Sequence, residues 1–527
     1  MGTFELIVIL MAAVVVLVWL ADRVKIPYPM LLMLGGLALA ILPWGPNIEL
    51  EPEIVLVIFL PPILFQAAQL TSWREFTNNF GPISRLAFGL VLVTTGVVAV
   101  AAHAVIPEIG WPAAFVLGAI VSPPDAVAAT AIFQRLGAPR RIVTILEGES
   151  LINDASALVV YTFAVAAVVT GKFSAVDALI EFVLVVVIGV AVGAVIGLVL
   201  GRVLMVLGDP SLVTIVTLLA PAGAYVLGEH LGGSGVLAVV VAGLMHGFNS
   251  PQTMTPTARV RSLAVWDFAT ICINGLIFIL IGFELGALRE EFSAEDIGEI
   301  ILYSLVVLVA MTAARFAYVF VGQVIPHKRW KQPERQAFGG LGTRSQFLIA
   351  WSGLRGVVSL ATALALPYIT DAGTPFDHRD QIVLIAAVVI VCSLFGFGLP
   401  LPWILRKLKL VDDGAYEYEL NLARKVVRRA MYDTMKAEME HDPKMADLLS
   451  PMLKEMEARS ERVANIAESS TAEQIHDIMQ PRILARQRAI DAARAELIEL
   501  RDREVIGDEV RREVERSLDL QELQFST

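Results

Sequence analysis

Charge is scarce in this sequence. Of its 527 residues, 18% are Asp, Glu, Lys or Arg and 56% are hydrophobic, and the mean hydropathy is +0.68. Soluble globular proteins carry about 25% charged residues, so this composition excludes a soluble enzyme and a disordered chain. The net charge of −11 excludes a nucleic-acid binder with a basic face. We therefore expect a membrane protein that contacts lipid and binds no nucleic acid.

Cysteine and hydrolase motifs are also lacking. The two cysteines, Cys272 and Cys392, lie in apolar runs, which excludes a disulfide framework. The chain has neither a Gly-x-Ser-x-Gly element nor a His-Glu-x-x-His metal site, and this argues against an intramembrane hydrolase. We predict a protein that is not an enzyme and that needs no cofactor.

Long apolar runs are what the sequence has in abundance. A helix needs about 20 residues to cross about 30 Å of hydrocarbon, and a window of that length identifies thirteen candidate spans. The predicted spans are 4–21, 28–42, 53–70, 86–106, 112–134, 142–170, 177–201, 211–228, 232–248, 264–286, 298–325, 345–369 and 381–405.

Positive charge alternates between the connecting loops. Loops after odd-numbered spans carry fifteen Lys and Arg residues, whereas loops after even-numbered spans carry only Lys172, Arg289 and Arg379. Cytoplasmic loops retain Lys and Arg, so the pattern predicts an N-terminus outside and a C-terminus in the cytoplasm. We expect a multi-pass protein of a bacterial-type plasma membrane.

The remaining charge is concentrated in the tail. Residues 1–405 hold only 20 of the 41 Lys and Arg and 26 of the 52 Asp and Glu. This division predicts a transmembrane domain over 1–405 and a cytosolic helical domain over 406–527, with helical spacing at 420–435 and 483–500. The tail is interpreted either as a solvated helical extension or as a regulatory or dimerising module.

The fifth span is interrupted at its centre by two prolines, in the motif Ser122-Pro123-Pro124-Asp125. Proline lacks an amide donor and clashes with the preceding turn, so the helix is predicted to break here. In transporters, carbonyls freed at mid-membrane serve as ion-binding elements, although a proline kink is also common as a purely structural feature. A carboxylate beside the break is costly in lipid, which favours the functional interpretation.

The sixth span carries the motif Glu147-Gly-Glu149-Ser150-Leu-Ile-Asn153-Asp154. Glu147, Ser150 and Asp154 share one helix face, whereas Glu149 and Asn153 follow another, so the acids Glu149 and Asp154 should have different partners. Asp154 lies about 18 Å from the cytoplasmic end of its helix, near the bilayer centre. Its carboxylate, the Ser150 hydroxyl and broken-helix carbonyls would form an oxygen cage for a hard cation.

The twelfth span supplies a buried cation in the motif Gly353-Leu354-Arg355-Gly356. A lone buried guanidinium must be paired, and we predict Glu149 as its partner, with Asp125 as the second choice. Arg315, inside the eleventh span, either attracts a carboxylate or extends its head group to the interface.

These three motifs, in this order, resemble the sodium/proton exchanger family of the monovalent cation/proton antiporters. The resemblance covers essentially all of residues 1–405. It implies an all-α membrane fold in which spans one to six and eight to thirteen form two inverted six-helix repeats, with crossing broken helices. It also implies a homodimer.

The resemblance further implies a role for each matching residue. Asp154 would bind the ion and the proton, with Asn153 as its structural companion, and Glu149 and Arg355 would form a structural ion pair. The ligands of the transported Na⁺ would be Asp154, Ser150 and a main-chain carbonyl near Pro124. One position departs from the pattern, because Gln66 in the third span stands where many relatives have a carboxylate.

The expected function is therefore exchange of Na⁺, or Li⁺, for H⁺ by competition at Asp154 with alternating access. A single titrating carboxylate beside an asparagine predicts an electroneutral one-to-one exchange, unless Asp125 also titrates. K⁺/H⁺ exchange is the nearest alternative, since Gln66 alters a ligand. A gated cation channel is the alternative from another class, but channels usually build their filters from symmetric subunits.

Overall fold

The structure is a computed structural model of the full chain. It describes residues 3–24, 27–41, 58–125, 127–171, 175–288, 294–321, 342–410 and 415–441, together with scattered positions between 450 and 518. Over this part of the chain the secondary structure is helical, apart from one isolated bridge between Ile369 and Pro375.

Each predicted span contains at least one helix. In chain order the helices are α1 (Thr3–Val24), α2 (Tyr28–Ile41), α3 (Leu60–Leu70), α4 (Trp73–Asn78), α5 (Phe80–Val105), α6 (Trp111–Val121), α7 (Val127–Leu136), α8 (Arg140–Thr170), α9 (Ala175–Val206), α10 (Pro210–His230), α11 (Gly235–Thr253), α12 (Pro256–Leu288), α13 (Ala294–Val321), α14 (Thr343–Trp351), α15 (Val357–Leu364), α16 (Arg379–Leu408) and α17 (Ala415–His441).

Only some of these helices are both long enough and apolar enough to cross a membrane as a single continuous helix. Among the described residues, 7 helices are long and apolar enough to cross a bilayer, and the segments Tyr28–Ala40 and Trp111–Val121 are shorter apolar helices. A helix of eleven residues rises about 16 Å, which is half of the hydrocarbon thickness. The total of thirteen spans and the inverted-repeat arrangement stay predictions.

Two spans are broken in the middle, the fifth as its prolines predict and the twelfth as the family resemblance implies. The fifth consists of α6 and α7 with a non-helical break at residues 122–125, and the twelfth consists of α14 and α15 with a break at 352–356. Pro123 and Pro124 explain the first break, since neither can donate the amide hydrogen that a continuous helix needs. Gly353 and Gly356 lie within the second, where glycine permits the irregular backbone.

The helices pack around two apolar clusters. One joins α1, α2 and α5–α8 with α12–α16, and the other joins α3–α5 with α8–α12. Close approach of α2 and α12 depends on glycine, because a Cβ on Gly282 would lie 1.9 Å from the Met33 carbonyl oxygen and one on Gly36 would lie 2.0 Å from that of Ile279. Small residues of this kind bring helix backbones together in membranes.

The chain divides into two compact units, Met1–Asp413 and Gly414–Thr527. The first contains α1 to α16. The second contains α17, which spans the predicted helical segment 420–435, whereas the predicted segment 483–500 lies mostly outside the described residues.

Candidate functional site at the broken helices

The two helix breaks meet. The main-chain nitrogen of Asp125 donates a 2.7 Å hydrogen bond to the carbonyl oxygen of Leu354. Gly356 lies against the Asp125 side chain, and a Cβ at this position would be 1.7 Å from Asp125 Oδ2. The absence of a side chain at Gly356 is therefore what lets the second break accommodate the carboxylate of the first.

Asp154 lies on α8 and is buried, with 6% of its surface exposed. No hydrogen bond or ion pair joins its carboxylate to another residue in the described part of the chain. Asp125 is close enough for the two carboxylates to interact electrostatically. A carboxylate so placed is expensive to keep charged, so it favours the arrival of a proton or a cation.

Asn153 connects α8 to the first break. Its Nδ2 donates a 2.8 Å hydrogen bond to the carbonyl oxygen of Pro124, which the broken helix leaves without an intrahelical donor. The side chain is fully buried, and its Oδ1 has no hydrogen-bond partner among the described residues. Ser150, one turn before Asp154, is only partly buried. The structure thus places Asn153, Pro124, Asp125 and Asp154 in one region.

The predicted partner of Glu149 is wrong. Glu149 forms a two-pronged ion pair with Arg315 of α13, with Nη1–Oε1 at 2.5 Å and Nη2–Oε2 at 2.9 Å. Both side chains are buried, with 1% and 2% exposed, and Arg315 also donates to the Ile349 carbonyl through Nε and Nη2. Of the two options for Arg315, the first, attraction of a carboxylate, is the one found.

Arg355 has a different environment. Its Nε lies 3.5 Å from Met311 Sδ, its main-chain nitrogen donates to Ser393 Oγ at 3.0 Å, and its Nη1 has no hydrogen-bond partner within the described residues. The guanidinium is 2% exposed and within electrostatic range of Arg315 and Glu149. Glu149 therefore balances two arginines electrostatically while bonding to only one of them.

Gln66 contacts α12. Its Oε1 accepts a hydrogen bond from Thr270 Oγ1, and its Nε2 lies 3.5 Å from Asp267 Oδ1. The side chain is buried, with 8% exposed. The amide that replaces the expected carboxylate is thus oriented by two polar residues of a helix that sequence reasoning did not connect to it.

A further contact was not predicted at all. Residues Arg85–Leu90 of α5 form a π-helical turn, and the Ala87 carbonyl there accepts a 2.5 Å hydrogen bond from Ser156 Oγ of α8. A π turn displaces a carbonyl from its usual intrahelical partner, and such turns often occur at functional sites. The sequence Arg-Leu-Ala-Phe-Gly-Leu carries no signal for it.

The polar groups around Asp154 are mostly oxygen donors of the kind that hard cations bind. They are the carboxylate of Asp125, the amide of Asn153 and the carbonyl oxygen of Pro124, and no group of three or more His, Cys, Asp or Glu side chains that could hold a metal occurs in the described ranges. Oxygen donors of this type match alkali and alkaline-earth cations rather than zinc or copper.

Comparisons with known proteins agree with this chemistry. The sequence model of the family described as "Sodium/hydrogen exchanger, transmembrane" matches residues 9–407. The chain is 33% identical to an uncharacterized Na⁺/H⁺ exchanger of Mycobacterium tuberculosis, over 98% of this chain and 95% of that protein. It is also 33% identical to the "sodium, potassium, lithium and rubidium/H⁺ antiporter" of Bacillus subtilis, over 80% of this chain and 64% of that protein.

The fold is also similar to a solved structure. The sodium proton antiporter MjNhaP1 from Methanocaldococcus jannaschii superimposes with a TM-score of 0.62 at 20% identity, covering 77% of this chain and 98% of that chain. At this identity the likeness concerns the fold alone. From the family match and the relatives, we conclude that the chain belongs to the transmembrane sodium/hydrogen exchanger family.

Proposed function

We propose that this protein exchanges Na⁺ for H⁺ across the plasma membrane as an electroneutral one-to-one antiporter. The observation that carries this proposal is the isolation of Asp154. Its carboxylate is buried at the broken helices and forms no hydrogen bond or ion pair with another described residue. A proton and a cation neutralise such a group equally well, so each displaces the other.

The balance of buried charge supports one-to-one exchange. The region around the two helix breaks, residues 122–125 and 352–356, is called the crossing, and it includes or adjoins three carboxylates and two guanidiniums: Asp125, Glu149, Asp154, Arg315 and Arg355. With all five ionised, the net charge is −1. One H⁺ or one Na⁺ restores neutrality, whereas either the empty site or the doubly loaded site is charged and costly to move through a low-dielectric region.

Alternating access requires a conformational change, and only the neutral forms of the site, loaded with H⁺ or with Na⁺, undergo it readily. The hydrogen bond from Asp125 N to Leu354 O joins the two breaks, and Asn153 joins α8 to Pro124. We infer that these elements move together against the rest of the bundle and expose Asp154 to one side at a time. Coupling arises because the neutral forms, loaded with H⁺ or with Na⁺, make the transition.

The transported cation is either Na⁺ or K⁺ in this proposal. The Bacillus subtilis relative is described as a sodium, potassium, lithium and rubidium/H⁺ antiporter, so K⁺/H⁺ exchange is the second candidate. Gln66 favours K⁺/H⁺ exchange, because a neutral amide stands where a carboxylate would strengthen the binding of the smaller cation Na⁺. We retain Na⁺ as the first choice, since the Mycobacterium tuberculosis relative is described as a Na⁺/H⁺ exchanger.

Transport in liposomes tests the proposal. Purified protein would be reconstituted with a pH dye inside, and Na⁺, Li⁺ or K⁺ added in turn. We expect Na⁺ and Li⁺ to drive proton movement in the wild type and Asp154→Asn to abolish it. Asn keeps the shape of the side chain but cannot be neutralised by either substrate, so the variant should fold. Retained exchange in a folded Asp154→Asn protein would overturn the assignment.

A further inference from the structure

An exposed acid and a polar helix face lie outside the crossing. Asp267, Thr270 and Asn274 of α12 are spaced i, i+3 and i+7, so they share one helix face over about 10 Å. Asp267 is exposed, Thr270 is half-buried and Asn274 is buried. The face therefore runs from an accessible carboxylate into the interior of the bundle.

The outer end of this face is bounded by oxygen atoms. Thr270 Oγ1 donates to Gln66 Oε1 and lies 2.9 Å from the Trp266 carbonyl oxygen, while Asp267 Oδ1 lies 3.5 Å from Gln66 Nε2. Trp266 itself stacks on Phe65 with ring centroids 5.6 Å apart, which packs α12 against α3 beside these groups.

The inner end of the face reaches the crossing. Asn274 interacts with the hydroxyl of Tyr28, at the start of α2, and Tyr28 is within electrostatic range of Asp125. Polar groups thus follow one another from Asp267 through Thr270 and Asn274 to Tyr28 and then to the first helix break. A buried polar series of this kind in an apolar helix is costly unless it is used.

We propose that Asp267, Gln66 and Thr270 form an access site that collects the transported monovalent cation, which then follows the polar face of α12 to the crossing. The inference rests on the proposed exchange activity. In this chain the carboxylate missing at Gln66 is supplied instead by Asp267, one contact away on α12. In the predicted topology the access site faces the cytoplasm, since Arg259 and Arg261 lie in the first turns of α12, in the segment that the sequence predicts to be a cytoplasmic loop.

The consequence is a selective effect on cation affinity. Inside-out membrane vesicles from a host without its own antiporters expose the cytoplasmic face, and recovery of an acridine-dye signal reports exchange. Asp267→Asn should raise the apparent KM for Na⁺ about three- to tenfold, because the variant lacks the negative charge that attracts Na⁺ at short range. The maximal rate and the pH profile should stay unchanged. Asp267→Glu should restore the KM.

Two further measurements separate this mechanism from general effects. Inert salt screens attraction to an exposed charge, so the KM ratio between Asp267→Asn and wild type should fall towards one as choline chloride is raised. Thr270→Val, which replaces the hydroxyl by a methyl group of the same shape, should raise the KM by itself about two- to threefold. This second variant tests the site even if Asp267→Asn folds poorly.

Asp209 offers a matched control. It is also exposed, its carboxylate is close enough to interact with Arg261 near the start of α12, and it caps α10 by accepting from Ser211 N at 2.7 Å and Leu212 N at 3.0 Å. Main-chain hydrogen bonds from Leu212 and Ser211 hold the pKa of the Asp209 carboxyl below its ordinary value, so it is ionised at neutral pH. Asn caps helices as well as Asp, so Asp209→Asn removes only the charge.

The outcomes are distinguishable. A wild-type KM in Asp267→Asn, or an equal shift in Asp209→Asn, would overturn the access site and leave the proposed function standing. A lower maximal rate with an unchanged KM in Asp267→Asn would also overturn it, since that result indicates a structural role. Retained exchange in Asp154→Asn in the same vesicles would overturn the proposed function itself.

Discussion

Arg315 and Arg355 are both buried guanidiniums, but within the described part of the chain only Arg315 bonds to a carboxylate. Sequence reasoning chose Arg355 as the partner of Glu149 because a mid-span arginine needs an acid. The requirement was correct, but helical spacing within α8 fixes only the direction in which Glu149 points. Which of two arginines lies in that direction depends on how α8, α13 and the second break pack together. No local pattern in the sequence encodes that packing.

The corrected pairing gives a prediction about stability. Arg315→Met leaves the Glu149 carboxylate buried without its partner, and loss of one member of such a pair typically costs about 3–5 kcal/mol. Thermal unfolding in detergent should therefore show a large fall for Arg315→Met. Arg355→Met, which removes a guanidinium without stranding a bonded acid, serves as the matched control and should cost less.

The double variant Glu149→Gln with Arg315→Met sharpens this test. It removes both charges together, so it should be more stable than Arg315→Met alone. If Arg355→Met lowers the melting temperature as much as Arg315→Met does, the ion pair described here does not dominate the stability of this region.

At the scale of elements, both helix interruptions could be predicted and their contact could not. Two adjacent prolines in α6–α7 remove donors whatever the surroundings, and the glycines around Arg355 permit unwinding, so both breaks follow from local chemistry. The π turn in α5 was not foreseen, because no residue in it requires such a turn, and the hydrogen bond that its Ala87 carbonyl accepts comes from Ser156 of α8, about 70 residues away in sequence. Gln66 was identified as a departure, but its contacts with α12 join segments about 200 residues apart.

Gly356 allows the contact between the breaks to be tested. A methyl group in Gly356→Ala would collide with Asp125 Oδ2, so the two breaks must separate. We expect exchange in liposomes to fall at least tenfold and the melting temperature to drop. Gly396→Ala on α16 is the matched control, since a Cβ there meets nothing within 4 Å. Wild-type transport by Gly356→Ala would show that the contact between the breaks is dispensable.

At the scale of the whole molecule, the charge balance predicts transport that ignores membrane voltage. Moving one net charge across 100 mV is worth about 2.3 kcal/mol, which would change the equilibrium cation gradient about 50-fold. In liposomes clamped with valinomycin at 0 and −100 mV, we expect equal final Na⁺ gradients. A change in the final Na⁺ gradient approaching 50-fold would mean that a second charge moves in each cycle. Asp125 is then the first residue to test as its carrier.

The overall class was the easiest property to predict, because composition and apolar runs alone exclude soluble folds. The loop charges predict an orientation, and the motifs predict a family that the comparisons confirm. Contacts between residues far apart in the sequence could not be predicted, as the partners of Glu149 and Gln66 show. The homodimer stays a proposal for this chain.

The bond between Asp125 N and Leu354 O has a consequence for how this family can diversify. It is made only of main-chain atoms, so exchanging the side chain of Leu354, or that of Asp125 for any residue but proline, does not remove the bonding groups themselves. Unlike Gly356, residues at the crossing whose side chains do not press on this contact are thus free to vary while the two breaks stay joined. A protein of this kind that adapts to a new salt environment can therefore change its ion selectivity by single substitutions and keep the main-chain hydrogen bond that joins the two breaks.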